Sequence, residues 1–519
     1  MHIIVPMSGI GKRFLDAGYK DPKPLIQVEG KPIIAHVVAM FPSETKFTFI
    51  CNEEHFANTS MRSVLLSLVP NANVISIPPH KKGPVYAVSL IYSMIDDDEE
   101  AIVNYCDFGK DWDYKAFLED VRSNQADGAI SAYRGFHPHM LGTVNYAFMR
   151  EKDNWMLEIQ EKKPFTNDRM SEYASDGTYY FKSGRILKKY FDLTMERDLS
   201  VNGEYYASVV YNLLVQDGLK VRIFEINHML QWGTPGELKE YLYWSDIFKG
   251  LSKKYETAPA QDRINLIPMA GRGSRFADQG YKDPKPLIPV DGEAMVVQAG
   301  KSLPASKRNI FVCLNEHLQK YPIQTTLEAS FENVKVVGIQ GVTEGQAITV
   351  SLGLSEENID KPLFIAASDN GMLYDGIQLE KFIAEEDPDV FAFTFSGNPT
   401  SERNPQMYGW IQASGKDALA VSVKVPISNN PIQDDAIVGA FYFKTARIFL
   451  QILDVLIQKN IRVNHEFYVD SMIGLAIELG LKTKIFRIDH YICWGTPNDY
   501  KTYLYWQKFF KKVDWHPYK

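Results

Sequence analysis

The nonapeptide GYKDPKPLI runs from Gly18 to Ile26 and recurs letter for letter from Gly280 to Ile288, an offset of 262 residues. The same offset carries Pro6 to Pro268, Gly9 to Gly271, Arg13 to Arg275 and Gly83 to Gly345. It also carries Asp107 to Asp369, Lys162 to Lys424, Glu204 to Glu466 and Trp232 to Trp494. A period this long is that of a duplicated domain, not of a solenoid of small units. Whatever fold the first half adopts, the second must reproduce. The spacing predicts one domain over residues 1–251, a linker over 252–262 and a second domain over 263–519. The linker is polar, contains Pro259 and lacks apolar periodicity. Polar residues kept by both copies are where chemistry is worth seeking.

Composition narrows the class. Hydrophobic residues make up 45% of the 519-residue chain and charged residues 23%, so each half can bury a full core. A net charge of −8 argues against a nucleic-acid polymer as partner, while leaving room for nucleotides, which need only a few local cations. Cys51, Cys106, Cys313 and Cys493 form no C-x-x-C pair and no zinc spacing, and read as small buried residues of a protein kept in a reducing cytoplasm. The apolar run at the N-terminus stops at Pro6, and no stretch has the length of a membrane span, so no membrane insertion is expected.

Each half opens on a buried-strand pattern, His2 to Val5 and Asn265 to Ile267, that runs into a glycine loop. Apolar runs at Phe47–Cys51, Val74–Ile77, Ala101–Tyr105 and Ala129–Tyr133 then alternate with helical patterns such as Val85–Met94 and Tyr114–Val121. Strands separated by helices predict a parallel, doubly wound α/β sheet covered on both faces. Both copies close on an aromatic helix, Leu238–Phe248 and Tyr500–Phe510.

The glycine loops read PMSGIGKRF from Pro6 and PMAGRGSRF from Pro268. Gly9 and Gly11, or Gly271 and Gly273, let backbone N–H groups close on an anion, with Arg13 or Arg275 adding permanent charge. Phe14 and Phe276 stand where a dinucleotide fingerprint needs its third glycine, and the Walker spacing is absent. Lys23 and Lys285, each held between two prolines, present an ammonium from a stiffened backbone. A plain strand-to-helix turn and a solvated lysine are the structural alternatives to these readings.

G-x-G-x-R-F followed by P-K-P-L resembles the sugar-phosphate nucleotidyltransferases, which join a nucleoside triphosphate to a sugar 1-phosphate or similar phosphate monoester. The resemblance covers nearly all of both halves. It implies two tandem Rossmann-like sheets, mixed and mostly parallel, of the nucleotidyltransferase and glycosyltransferase-A type. It also implies that Gly9, Gly11, Arg13 and Lys23, and Gly271, Gly273, Arg275 and Lys285, hold the triphosphate.

Asp107 and Asp369 each follow a buried strand, where ligands of α/β sheets bind, and their carboxylates suit Mg²⁺. A helix N-cap is the structural alternative. Relatives place a second aspartate two residues before the glycine of a late G-T pair; here Gln231 and Cys493 stand there. The resemblance assigns Lys162 and Lys424 to the acceptor phosphate, although Val423 replaces the neighbouring Glu161 in the second copy. It assigns Gly177, Gly439, Glu204 and Glu466 to the acceptor hydroxyls. Gln340, five residues before Gly345, resembles the base-recognition loop; Pro78 aligns with it ahead of Gly83, so the halves are expected to read different substrates. His137 and His139 of the first half read as a polar loop.

The expectation is transfer of a nucleoside monophosphate to a phosphate monoester with release of pyrophosphate, for surface polysaccharide or another glycoconjugate. The alternatives are a glycosyltransferase of the related fold, whose D-x-D motif is missing at Asp107 and Asp369, and a half that only binds nucleotide.

Overall fold

The computed structural model describes residues 1–519 and contains two compact units, Met1–Leu242 and Tyr243–Lys519. In the first, nine strands form one sheet. Their spatial order is Asn73–Ile77, Phe47–Asn52, His2–Met7, Ala101–Asn104, Tyr173–Phe181, Gly128–Tyr133, Val221–Glu225, Trp155–Glu161 and Ala147–Lys152. The second unit repeats this order from Val334–Ile339 through Ser306–Leu314, Gln261–Pro268, Leu363–Ala366, Asp435–Phe443, Val390–Phe395, Thr483–Arg487 and Asp417–Val423 to Gly409–Ser414.

The expected mostly parallel sheet is corrected here: antiparallel pairings outnumber parallel ones. His2–Met7 pairs in parallel with both its neighbours, as does Val221–Glu225 with Gly128–Tyr133. Tyr173–Phe181, however, runs antiparallel to every strand it touches. Ala147–Lys152 and Trp155–Glu161 form an antiparallel hairpin. Asp153 and Asn154 both have positive φ, 55° and 63°, as the two-residue turn between right-twisted strands requires. Between Tyr133 and Phe181 the alternation of strands and helices gives way to antiparallel strands joined without crossover helices; Gly184–Glu196 and Ala207–Gln216 then lead to Val221–Glu225.

In the first unit, Gly83–Ser89, Gly184–Glu196 and Ala207–Gln216 lay Val85, Leu187, Phe191 and Val210 on one face of the sheet, against Ile4, Val103 and Ile130. In the second, Val350, Phe449 and Met472 cover Leu266, Ile365 and Phe441, while Val296, Leu327 and Phe382 cover Ile267, Phe364 and Phe391 on the opposite face. All four cysteines are free, with Cys51 and Cys313 fully buried. No helix is long and apolar enough to cross a membrane.

Candidate active site

The first strand of each unit ends in the glycine loop, and the K-P-L segments that follow form short 3-10 turns, Lys23–Leu25 and Lys285–Leu287. Gly11 and Gly273, with φ of 70° and 62°, sit over the Cβ atoms of Lys23 and Lys285. Each lysine projects past a buried phenylalanine, Phe14 or Phe276, whose ring lies 5.7 or 5.8 Å from the ammonium. This phenylalanine, at the place of the missing third glycine, is a wall for the lysine.

Asp107 lies between the strands Ala101–Asn104 and Phe108–Asp111, and Asp369 between Leu363–Ala366 and Asn370–Leu373. A strand follows each, so neither aspartate caps a helix. Phe108–Asp111 pairs with His228–Gln231, and Asn370–Leu373 with His490–Cys493, which brings the WGTP run alongside the aspartate. Trp232 and Trp494 fill the space over Gly109 and Gly371, where any Cβ would come within 3 Å of the indole. Lys23 Nζ donates to Asp107 Oδ2 at 2.5 Å; Lys285 makes the same bond to Asp369 and donates to the Gly495 carbonyl at 3.0 Å.

The first unit gathers Arg13, Lys23, Asp107, Glu161, Lys162, Gly177, Tyr206, Gln231 and Glu237 around a cleft with a volume of about 230 Å³. A cleft of about 320 Å³ in the second is lined by Gly271, Gly273, Arg275, Lys285, Asp369 and Gly495. Gly9, Gly11, Gly83 and Glu204 lie outside the first lining, and Lys424, Gln340, Gly345, Gly439 and Glu466 outside the second. Gln340 is exposed beyond its strand, whereas Gln346, not foreseen from sequence, lines the second cleft.

Lys162 and Lys424 share an unusual backbone conformation. Both have positive φ, 58° and 66°, a conformation that costs a non-glycine residue about 1–3 kcal/mol. It is held by their N–H groups, which donate to the Tyr146 and Tyr408 carbonyls at 2.8 and 3.0 Å. Lys162 Nζ donates to the Tyr206 hydroxyl at 2.7 Å, and Tyr206 donates in turn to Glu204, so Glu204 reaches the cleft through a tyrosine. Glu204 forms a bridge with Val201, ahead of a helix that starts only at Ala207, so it is no first-turn helix charge.

Gly83 and Gly345 join the two sides of each site. Tyr205 N–H donates to the Lys82 carbonyl at 2.9 Å and Val85 N–H to that of Tyr205 at 3.1 Å; Phe467, Glu344 and Ala347 repeat the pattern. An added Cβ would lie 2.7 Å from Tyr205 backbone atoms at Gly83, and 2.5 Å from Phe467 N at Gly345. Gly177 and Gly439 sit in bulges of the long antiparallel strand, and their carbonyls accept from Tyr105 and Ala367 at 3.0 Å each.

Two acids escaped the sequence reading. Glu237 and Asp499 occupy matched places in the first turns of the closing helices, where they accept hydrogen bonds from the Thr234 and Thr496 hydroxyls at 2.8 and 2.6 Å. Burial pushes both carboxyls up, and the charge of Asp107 or Asp369 adds to the effect. Asp176, on the cleft floor, is tied to the fully buried Lys110, which also donates to Ser131 and Thr178 at 2.8 and 2.6 Å. Burial lowers the Lys110 ammonium to about 8, with Asp176 opposing the shift. Met372, Val438, Phe393 and Ala440 replace this polar group in the second unit.

No cluster of three or more His, Cys, Asp or Glu side chains is arranged to hold a metal. The fit is instead to a cation that keeps water and substrate oxygens. Asp107 Oδ2 and Gln231 Oε1 lie 3.4 and 3.2 Å from one point, the place of a Cβ on Gly233. Both are hard oxygen donors, as Mg²⁺ requires. At the matching point of the second unit stand Asp369 Oδ2 and Cys493 Sγ. Burial pushes that thiol up, and sulfur is a soft donor, so Asp369 is the one hard oxygen donor of the pair.

With the site described, the chain can be compared with known proteins. Residues 3–258 match the family model described as nucleotidyl transferase. That segment belongs to the family, and the protein is a nucleotidyltransferase-family enzyme. No curated protein matches the chain. Among solved structures it is similar to a nucleoside-diphosphate-sugar pyrophosphorylase from Vibrio cholerae RC9, at 22% identity and a TM-score of 0.38 over 45% of this chain and 97% of that one. It is also similar to the inositol-1-phosphate CTP transferase from T. maritima, at 15% identity and a TM-score of 0.37 over 49% and 98%. The UDP-glucose pyrophosphorylase from Acinetobacter baumanii matches at 18% and 0.37 over 47% and 93%.

Proposed function

We propose that each unit transfers a nucleoside monophosphate from a nucleoside triphosphate to a phosphate monoester, such as a sugar 1-phosphate, and releases pyrophosphate. The observation that carries this reading is the convergence, in the first cleft, of Arg13, Lys23 and Lys162 on a space bordered by Asp107. Three cations with one metal-compatible carboxylate match two phosphate groups drawn together against their mutual repulsion.

In this reading an oxygen of the acceptor phosphate attacks the α-phosphorus in line, the bond to the β-phosphate oxygen breaks, and pyrophosphate leaves with the electron pair. The acceptor oxygen is already ionised, so no strong general base is needed. Arg13 and Lys23, or Arg275 and Lys285, hold the triphosphate, while Lys162 or Lys424 holds the acceptor phosphate. Asp107 with Gln231, or Asp369, would hold Mg²⁺, which supplies charge neutralisation at the triphosphate. The catalytic contribution of the chain is alignment and neutralisation.

The acceptors of the two units differ in this proposal, because Asp176, which lines the first cleft and is bonded to the buried Lys110, has no counterpart in the second unit, where Val438 and Met372 take the matched places of the pair. Products of this kind serve polysaccharide or glycoconjugate assembly. Screening the four nucleoside triphosphates against a panel of phosphate monoesters, with pyrophosphate release as readout, tests the reading. Pyrophosphate released only through hydrolysis, with no monoester consumed, would overturn it.

A further inference from the structure

Three positions beside the acceptor lysine differ between the units, and they differ together. In the first unit Glu161 pairs in register with Ala147 and accepts a hydrogen bond from the Ser208 hydroxyl at 2.6 Å. The places of Glu161, Ala147 and Ser208 are taken in the second unit by Val423, Gly409 and Asp470. Gly409 pairs in register with Val423, and a Cβ on Gly409 would lie 2.9 Å from Cδ1 of Ile437 and 3.2 Å from both Cγ and Oδ1 of Asp470. The acid has left the strand, an acid has appeared on the facing helix Val469–Glu478, and the methyl group that would crowd it is gone.

A first-turn helix carboxylate is favourable on its own account, and that alone would explain Asp470. It does not explain Val423, and Gly409 leaves room both for Asp470 and for Ile437, which stands where the first unit has Ser175. We propose that Asp470 is the positioning residue of Lys424, standing in space where Glu161 stands beside Lys162 although it comes from a different element. The proposal rests on the assignment of Lys162 and Lys424 to the acceptor phosphate.

The charges around the lysine agree. Burial lowers the Lys424 ammonium, Asp470 opposes that shift most strongly, Arg275 adds to it, and Glu466 opposes it. Burial pushes the Asp470 carboxyl up to about 6, with Lys424 drawing it back. Lys424 Nζ donates to the Met407 carbonyl at 2.7 Å and lies 5.6 Å from the centre of the Tyr468 ring, so a carbonyl and a ring face flank the ammonium beside these charges. In the first unit the Glu161 carboxyl is likewise raised by burial and drawn down by Ser208 and Lys162.

The test uses the full chain with isotopically labelled lysine, the Lys424 resonance being identified by its loss in Lys424→Arg. Asp470→Asn is expected to lower the Lys424 titration midpoint by roughly one pH unit. The triple variant Val423→Glu, Gly409→Ala, Asp470→Ser, which restores the first unit's three residues while keeping Ile437 in place of its Ser175, is expected to restore it. In pyrophosphate release with Lys162→Ala silencing the first unit, Asp470→Asn should raise KM for the phosphate monoester about tenfold and leave KM for the nucleotide unchanged. An unmoved midpoint in Asp470→Asn, or a folded triple variant that fails to restore it, overturns the proposal. If Asp470→Asn does not fold, the triple variant alone decides against wild type: an equal midpoint supports the proposal and a lowered one overturns it. Absence of pyrophosphate release from wild type with every substrate pair would defeat the functional reading, while the titration still decides this inference.

Discussion

Lys23 and Asp107 are joined by a 2.5 Å hydrogen bond across the mouth of the first cleft, and Lys285 and Asp369 are joined in the same way in the second. Each ammonium thus sits on the carboxylate oxygen to which a metal would bind. In the proposed function a bound triphosphate would offer the ammonium another anion and free the carboxylate.

Magnesium and nucleotide are therefore expected to bind cooperatively. With Asp369→Asn isolating the first unit, titration calorimetry should show Mg²⁺ binding tightened about tenfold by a non-hydrolysable nucleoside triphosphate. Asp107→Asn should keep the fold and abolish the effect. Equal metal affinity with and without nucleotide would argue that the lysine does not guard the carboxylate.

Gly83→Ala and Gly345→Ala should each cost about 1–3 kcal/mol of stability, because φ is 83° or 130° and the new Cβ meets backbone rather than a movable side chain. Gly9→Ala, with no atom within 4 Å of the added carbon, should be nearly neutral. Hydrogen exchange of the amides around Tyr205 and Phe467 is the measurement. Undiminished protection in both joint variants would show that the backbone can part there without penalty.

Gln346 and Gln340 separate two accounts of base recognition. Gln346 lines the second cleft and Gln340 lies exposed beyond it. Gln346→Ala should weaken nucleotide binding roughly fivefold, the worth of about one hydrogen bond, and should alter base preference more than Gln340→Pro does. The opposite ranking would return base reading to Gln340.

His2 gives the first unit a specific acid sensitivity. Burial, followed by the charge of Lys46, lowers its imidazole from 6.5 to about 4, while its ring bonds to Thr48 at 2.8 Å. A group kept neutral in the folded state contributes fully above the unfolded value of 6.5, and its contribution falls away as pH drops toward 4. The loss amounts to about 3 kcal/mol. His2→Gln should flatten thermal stability over that window; an unchanged slope would place the sensitivity in other groups.

The duplication, the glycine loops and the first strands were legible because each is a short contiguous pattern. The hairpin Ala147–Glu161 left a usable signal, an Asp153–Asn154 pair between two strand-like runs, but the preceding alternation of strands and helices outweighed it. Glu237 and Asp499 were also within reach, since T-x-x-E and T-x-x-D open each closing helix. The positive φ of Lys162 and Lys424 was not, because it is held by the carbonyls of Tyr146 and Tyr408, each just ahead of another strand. Nor was the tie between Asp470 and Gly409, which lie on elements that meet only after folding.

The division of one chain into Met1–Leu242 and Tyr243–Lys519 has a consequence for dosage. A single round of translation delivers one cleft of each kind, so their ratio is one to one at every level of expression. Dilution, which dissociates an assembly of separate proteins, cannot change it. Synthesis and degradation of the chain change both clefts together, and neither can be raised without the other.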